Sequence, residues 1–165
     1  MNIQELESKM IALIDEKGFE LKDTHFDRTV KNLPGHFEVI DDPEFLNWLR
    51  SEEVLEKYKD DSKRMYSSMK RSIADAKTNL NSRWLMLFND SKYDKVHQCF
   101  THFQFIYTGR NEFDMYVYQR SSDMSKLKDD LVFFTHQMKK FEKSVEQPVT
   151  KLVVVYGSLH YEIKS

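Results

Sequence analysis

The spacing of apolar residues changes from helical to strand-like in the middle of this 165-residue chain. Before residue 80, apolar side chains recur every three or four positions in three segments, which is the pattern of amphipathic helices. From Trp84 onwards, short runs of β-branched and aromatic residues replace that pattern, with one further helical stripe from Leu127 to Phe141. Helices that cluster before the strands favour an α+β fold, and the length favours a single domain over residues 1–165.

The boundaries of several elements can also be predicted. Gly18 ends the first helix, Pro43 begins the second, and the third covers residues 61–78. Residues 19–41 are expected to be irregular, apart from a short strand at His36–Ile40. The other expected strands are Trp84–Phe88, Cys99–Tyr107, Glu112–Tyr118, Lys151–Tyr156 and His160–Ile163, of which the second and third form a hairpin.

The balance of charges restricts the class of partner. The chain has 25 basic and 27 acidic residues and a formal net charge of -2, which argues against direct nucleic-acid binding. No segment approaches the roughly 20 apolar residues of a membrane span, and the N-terminus lacks the apolar core of a signal peptide. A single cysteine cannot form an internal disulfide. We therefore expect a cytoplasmic protein that does not bind membranes.

Cys99 has two competing interpretations. A lone cysteine is usually a small buried hydrophobe. The alternative is a thiolate nucleophile, which needs a nearby cation to lower its pKa from about 8.5. Arg120, at the end of the next predicted strand, would supply that cation. A metal site with His97 and His102 is not expected, because the spacing matches no common zinc signature.

The segment Val117–Asp123 reads VYQRSSD and places a cation, two hydroxyls and a carboxylate at the predicted end of a strand. Strand ends usually favour Gly, Asn or Pro, so this concentration of polar groups indicates a ligand. The guanidinium of Arg120 and the hydroxyl of Ser121 suit a phosphate. An ordinary surface arginine is the alternative.

Five fragments, taken in chain order, resemble the thymidylate synthase and deoxypyrimidine hydroxymethylase family. They are DRT at 27–29, NSRW at 81–84, QCFTHFQF at 98–105, YQRSSDM at 118–124 and YGSLHYE at 156–162. The resemblance spans nearly the whole chain and implies a short, diverged member of the family. It also implies the family's fold, a mixed β-sheet packed with helices, truncated relative to the family's usual length.

The resemblance implies a reaction at C5 of a deoxypyrimidine 5′-monophosphate, dUMP or dCMP. Cys99 would add to C6 as a thiolate, and C5 would then take a one-carbon unit from methylenetetrahydrofolate to give a methyl or hydroxymethyl group. Arg120 would stabilise the thiolate, and the carboxylate of Asp123 would orient the folate. The nucleotide-binding residues would be Arg28, Arg83, Gln119, Arg120, Ser121 and His160, with Arg83 donated across a homodimer interface.

The chain also departs from the family's pattern directly after Asp123. The run that follows is about four residues shorter, and the asparagine that reads the pyrimidine is replaced or missing. Asp129 or Asp130 is a candidate substitute, and an aspartate at that place in the family goes with cytosine. The segments that form the folate site are also short. The resemblance therefore leaves open a nucleotide-binding or regulatory protein without turnover and a structural scaffold, although the presence of Cys99 favours an enzyme.

Overall fold

The structure is a computed structural model that describes residues 1–23, 26–89 and 99–164 of the chain. These residues form four α-helices and six strands of one mixed sheet, which confirms the predicted α+β class. The helices are α1 (Ile3–Lys17), α2 (Pro43–Ser51), α3 (Lys59–Thr78) and α4 (Leu127–Val145). The strands are β1 (Phe19–Asp23), β2 (Arg28–Ile40), β3 (Met86–Phe88), β4 (Phe100–Tyr107), β5 (Phe113–Asp123) and β6 (Val149–Glu162).

The order of the strands in the sheet is β1-β2-β6-β5-β4-β3. Neighbouring strands are antiparallel except β5 and β6, which are parallel and are connected through α4. The two central strands therefore end at the same edge of the sheet, where β2 and β4 begin. This topology brings polar residues that are far apart in sequence to one edge.

The helices pack on one face of the sheet and form a single hydrophobic core with it. The predicted apolar stripe of α4 faces this core. The ring of Phe141 stacks on Phe105 of β4 with centroids 3.8 Å apart, and Phe134 meets Phe103 edge-on at 5.3 Å. Burial of these large rings and their paired geometry supply much of the packing that holds α4 against the sheet.

The opposite face of the sheet has an exposed apolar surface. Side chains alternate between the two faces along a strand, and those that point away from the helices stay partly open to solvent. Large exposed side chains on this face include Phe37, Ile106, Tyr116, Tyr118 and Val155. We refer to these five residues as the open sheet face.

A β-bulge interrupts β5 at Arg120 and Ser121. Both backbone amides donate to the carbonyl oxygen of Cys99, at 2.6 and 3.4 Å, so two residues of β5 face one residue of the neighbouring chain segment. The alternation of buried residues changes phase here, because Gln119 and then Ser122 are buried. The bulge therefore turns the side chains of Arg120 and Ser121 away from the helix layer.

The adjacent strands bend at the same row of the sheet. Gly157 of β6 lies between the paired rows Gln119–Tyr156 and Ser121–Ser158. In β2, the neighbouring Gly35 has a φ of +67°, which an L side chain adopts only with strain. The three strands keep the same register on both sides of this row, since Pro34 pairs with Ser158 and His36 with Tyr156.

This shared bend explains three wrong predictions of strand boundaries. Residues 19–41 are not irregular, since β1 and β2 occupy most of the segment. β5 does not end at Tyr118 but continues to Asp123, and β6 is one strand where two were predicted. Glycines and polar residues look like strand ends in the sequence. They lie inside strands here because the neighbouring strands bend with them and supply their pairing.

We predict that Gly157→Ala destabilises the protein by about 1–3 kcal/mol through this bend. A Cβ at residue 157 would lie 2.8 Å from the carbonyl oxygen of Arg120, so the pairing of β5 with β6 must open. Urea unfolding measures the change. Gly35→Ala is the control, because nothing lies within 4 Å of its added Cβ and only the strain of the positive φ, about 1 kcal/mol, is expected. A Gly157→Ala variant as stable as the wild type would contradict the shared bend.

Candidate functional site

A cavity of about 540 Å³ opens at the edge of the sheet where β5 and β6 end and β2 and β4 begin. Five of the predicted site residues line it: Arg28, Cys99, Ser121, Asp123 and His160. Strand pairing explains this convergence, since Asp123 of β5 pairs directly with His160 of β6. The cavity therefore joins residues from β2, β5, β6 and the segment that leads into β4.

Cys99 is exposed and lies directly before β4. The interpretation of this residue as a small buried hydrophobe is therefore wrong. Its carbonyl oxygen is fixed by the two amides of the bulge, and the following Phe100 is buried against Phe133 and Phe134. The backbone on the C-terminal side of the thiol is thus held in place while the thiol itself lines the cavity.

A buried polar cluster fixes the start of β4 from the other side. The side-chain amide of Asn89 donates to the carbonyl oxygen of Phe100 at 3.1 Å and to the carboxylate of Asp61 at 2.9 Å. Arg64 donates to the Asn89 side-chain oxygen at 2.8 Å and pairs with Asp61. These bonds connect α3 to the residue next to Cys99 and so position the thiol relative to the helix layer.

Arg28 is the centre of a charged network inside the cavity. Its guanidinium donates to Asp123 at 2.8 Å and to Asp23 at 3.2 Å, and it contacts Nε2 of His160 at 3.3 Å. Burial lowers the pKa of Arg28, but the hydrogen bonds to Asp123 and Asp23 outweigh it and raise the pKa overall. Two carboxylates already match this charge, so an anionic ligand at Arg28 would have to compete with them.

Asp123 and His160 both favour the form without the titrating proton. Burial raises the pKa of Asp123, but hydrogen bonds from the Ser125 amide and from Arg28 outweigh it, so the carboxylate form is favoured. Burial lowers the pKa of His160, which favours the neutral ring. Because Arg28 donates to Nε2, the proton of the neutral ring is on Nδ1, where it faces the hydroxyl of Ser158 at 3.4 Å.

Arg120 lies in a second cavity of about 340 Å³. Ser121 and His160 line both cavities, so the two adjoin each other. The bulge is the physical reason, because it turns Arg120 and Ser121 away from the helix layer. Cys99 and Arg120 are therefore placed in adjoining cavities that share the wall formed by Ser121 and His160.

The remaining two predicted residues lie outside both cavities. Gln119 is buried beneath the first cavity, and its side-chain amide donates to Asp130 at 2.9 Å. Arg83 precedes β3 and lines a separate cavity of about 520 Å³, together with Gln104 and Ile106. Their predicted roles in nucleotide binding stay predictions. His97, which was considered as a metal ligand, lies outside the described residues.

Asp130 and Ser122 belong to the site but were not assigned a definite role from the sequence. Both are buried and line the first cavity, and the hydroxyl of Ser122 has no hydrogen-bond partner among the described residues. A signal for Asp130 does exist in the sequence. It lies one position before Leu131 and three after Leu127, which places a carboxyl group on the apolar stripe of α4.

Comparison with known proteins adds no relative, since no family model matches the chain and no curated protein matches it. Within residues 1–23, 26–89 and 99–164, no helix combines the length and apolar character that crossing a bilayer requires. The same residues contain no group of three or more His, Cys, Asp or Glu side chains arranged to hold a metal ion.

We predict that Arg28→Met lowers the free energy of unfolding by about 1–3 kcal/mol at neutral pH, since it leaves partly buried carboxylates without their donor. The folded-state pKa of Asp123 is lowered, so its contribution is present above the unfolded pKa and is lost as the pH falls through the folded value. The difference between wild type and variant should therefore shrink below about pH 4. Urea unfolding from pH 3 to pH 8 measures it.

Lys22→Met is the matched control on the same β1–β2 hairpin. Lys22 pairs with Asp27 at 3.0 Å, but both side chains are exposed, so the expected change is at most about 1 kcal/mol. Equal effects of the two substitutions, or a difference for Arg28→Met that does not change with pH, would contradict the network.

Proposed function

We propose that this protein is a thymidylate synthase-like enzyme that transfers a one-carbon unit to C5 of dUMP or dCMP. The observation that carries the proposal is the convergence of Cys99 with Ser121, Asp123 and His160 around one cavity. These four residues come from three separate fragments that resemble the family. A volume of about 540 Å³ is within the range of small-molecule sites, roughly 300–1,000 Å³.

The two adjoining cavities suggest how a nucleotide lies in the site. With the base beside Cys99, the ligand extends past Ser121 and His160, which line both cavities, and its phosphate reaches Arg120. The guanidinium and the Ser121 hydroxyl are suitable donors for a phosphate. Arg28 then has a supporting role, because its charge is already matched by Asp23 and Asp123.

Cys99 is the residue of this chain that forms the covalent bond to the nucleotide. Its thiolate adds to C6 of the pyrimidine, which turns C5 into a carbon nucleophile. Methylenetetrahydrofolate, when bound, supplies the one-carbon unit. Phe26, Lys126 and Lys164 line the same cavity and fit this group, because an aromatic ring stacks on a pterin and lysines attract an anionic glutamate tail.

One observation favours a second candidate, a nucleotide-binding protein without turnover. Arg28 and Asp123 pair with each other at 2.8 Å, so both side chains that the family resemblance assigns to phosphate and folate are occupied. Such a protein would bind the nucleotide through Arg120 and Ser121 and would form no covalent bond at Cys99.

We predict that 5-fluoro-dUMP or 5-fluoro-dCMP, mixed with methylenetetrahydrofolate, forms a covalent adduct with the wild-type protein. Fluorine at C5 blocks completion of the reaction, so the bond from Cys99 to C6 persists and intact-protein mass spectrometry detects it. The nucleotide that reacts also identifies the base. Cys99→Ser should form no adduct.

The same samples distinguish the enzyme from the binding protein. Thermal stabilisation by nucleotide without an adduct supports the binding protein, and Arg120→Ala should weaken that stabilisation in either case. Lys22→Ala is the control, since Lys22 lines the cavity of Arg120 but pairs with Asp27 on the surface. Neither adduct nor stabilisation with either nucleotide would contradict both proposals.

We also propose a homodimer that forms through the open sheet face. Five large apolar or aromatic side chains on this face are exposed, and a second copy would cover them. Arg83 lies next to Ile106 of this face, so the interface would place it near the partner. This arrangement is what donation of Arg83 to the second subunit requires.

We predict that Tyr116→Glu converts the dimer to a monomer, because the carboxylate would be buried in the interface without a partner. Sedimentation equilibrium should give twice the 19.8 kDa chain mass for the wild type and the chain mass for the variant. Tyr66→Glu is the control, because Tyr66 is exposed on α3, on the helix side of the sheet. A monomeric wild type, or an equal effect of the two substitutions, would exclude this interface.

A further inference from the structure

The first cavity contains a carboxyl group whose surroundings differ from those of Asp123. Asp130 is 8% exposed, and its two oxygens each accept one hydrogen bond. The hydroxyl of Tyr58 donates to Oδ1, and the side-chain amide of Gln119 donates to Oδ2 at 2.9 Å. Tyr58 is itself fixed, since its ring stacks on Phe133 with centroids 4.8 Å apart. Asp130 is therefore rigidly held at the inner wall of the cavity.

Both hydrogen bonds to this carboxyl come from neutral groups. Tyr58 precedes α3 and Tyr156 is on β6, and burial raises the pKa of both phenols, so neither ionises in the neutral range. The charges of Lys57 and Lys126 lower the pKa of Asp130, but burial is the larger effect, and among the described residues no lysine or arginine forms an ion pair with Asp130. Burial consequently raises the pKa of Asp130 despite its two hydrogen bonds.

The cavity therefore holds two carboxyl groups, and its surroundings lower the pKa of one and raise the pKa of the other. Asp123 is beside a guanidinium and is stabilised as a carboxylate. Asp130 is buried, accepts its hydrogen bonds from neutral groups and has no ion pair among the described residues. Two carboxyls with such different environments, beside a nucleophile, are typical of a site that uses one as a charged group and the other as an acid.

We propose that Asp130 is the proton donor of this cavity, held for that task by Tyr58 and Gln119. The assignment rests on the proposed addition of Cys99 to a pyrimidine. As sulfur forms its bond to C6, the electron pair of the C5–C6 double bond moves towards C4, and negative charge develops on the exocyclic oxygen in dUMP or on N3 in dCMP. The proton of Asp130 passes to that atom, and Asp130 becomes a carboxylate.

Tyr58 and Gln119 are positioning residues in this scheme. Their hydrogen bonds stabilise the carboxylate that remains after the proton has left, and neither group has to reorient. Because donors to a carboxylate lower its pKa, removal of the Tyr58 hydroxyl should raise the pKa of Asp130 further. The proton would then be held more tightly and released at a higher pH.

The first test measures the pH titration of the Asp130 carboxyl group in the absence of nucleotide. Carbon-13 NMR of labelled aspartate carboxyls, followed from pH 3 to pH 9, should show a raised titration for Asp114, whose pKa burial also raises, and a second signal that titrates above the ordinary aspartate value of about 3.9. That signal should be missing in Asp130→Asn and shifted to higher pH in Tyr58→Phe. Asp129→Asn is the matched control, because Asp129 is the neighbouring residue and pairs with Lys57 at 3.8 Å. An Asp130 signal that titrates near the ordinary value would overturn the proposal.

The second test measures the rate of adduct formation with the 5-fluoro nucleotide and methylenetetrahydrofolate. Asp130→Asn should slow it by about 100-fold or more, as loss of a general acid does, with nucleotide affinity nearly unchanged. Asp114→Asn should react like the wild type, because Asp114 lies near the start of β5, at the opposite end of the strand from the cavity. In Tyr58→Phe, the fall in rate at high pH should move to higher pH, an effect that a structural role alone would not produce.

The outcomes separate this inference from the proposed function. A wild type that forms the adduct and an Asp130→Asn variant that forms it equally fast would overturn the role of Asp130 and leave the proposed function intact. A wild type that forms no adduct would overturn the proposed function and this role together.

Discussion

The candidate site depends on one constraint of the backbone, the bulge at which two amides of β5 share the carbonyl oxygen of Cys99. Strands β5, β6 and β2 bend at this row and keep their register. Without the bulge, Arg120 and Ser121 would lie on opposite faces of the sheet. With it, both side chains turn away from the helices, and the thiol is tied by its own backbone to the residues that form the site.

The charges around the cavity follow from the same geometry. Arg28 is the first residue of β2, and Asp123 is the last residue of β5. Strand β6 lies between these two strands, but the start of β2 and the end of β5 are at the same edge of the sheet, so the two side chains can pair. The pairing neutralises this part of the cavity, whereas Asp130, on the helix side, forms no ion pair with the described residues and accepts its hydrogen bonds from neutral groups. The site therefore has one carboxyl group in an ion pair and one without, and Cys99 lines the cavity that both share.

Residue patterns predict the helices and the β4–β5 hairpin well, because an amphipathic stripe and a turn are local features. They also identify Cys99, Ser121, Asp123 and His160 as one group through the resemblance of short fragments. They do not predict that β5 and β6 continue past their polar residues, since this depends on a bend that neighbouring strands share. The partners of Asp130 are hidden for a similar reason. Tyr58 is 72 residues away and carries no motif, and only the packing of α3 against α4 brings the two together.

The most direct measurement of the central claim is the rate at which iodoacetamide alkylates Cys99 in the presence of dUMP, dCMP or the matching nucleosides. If one nucleotide spans Cys99 and Arg120, at least one monophosphate should protect the thiol. The nucleoside, which lacks the phosphate, should protect it far less, and Arg120→Ala should remove the difference. An alkylation rate that neither monophosphate changes would show that the thiol and the arginine do not share a nucleotide, and the account of this site would be wrong.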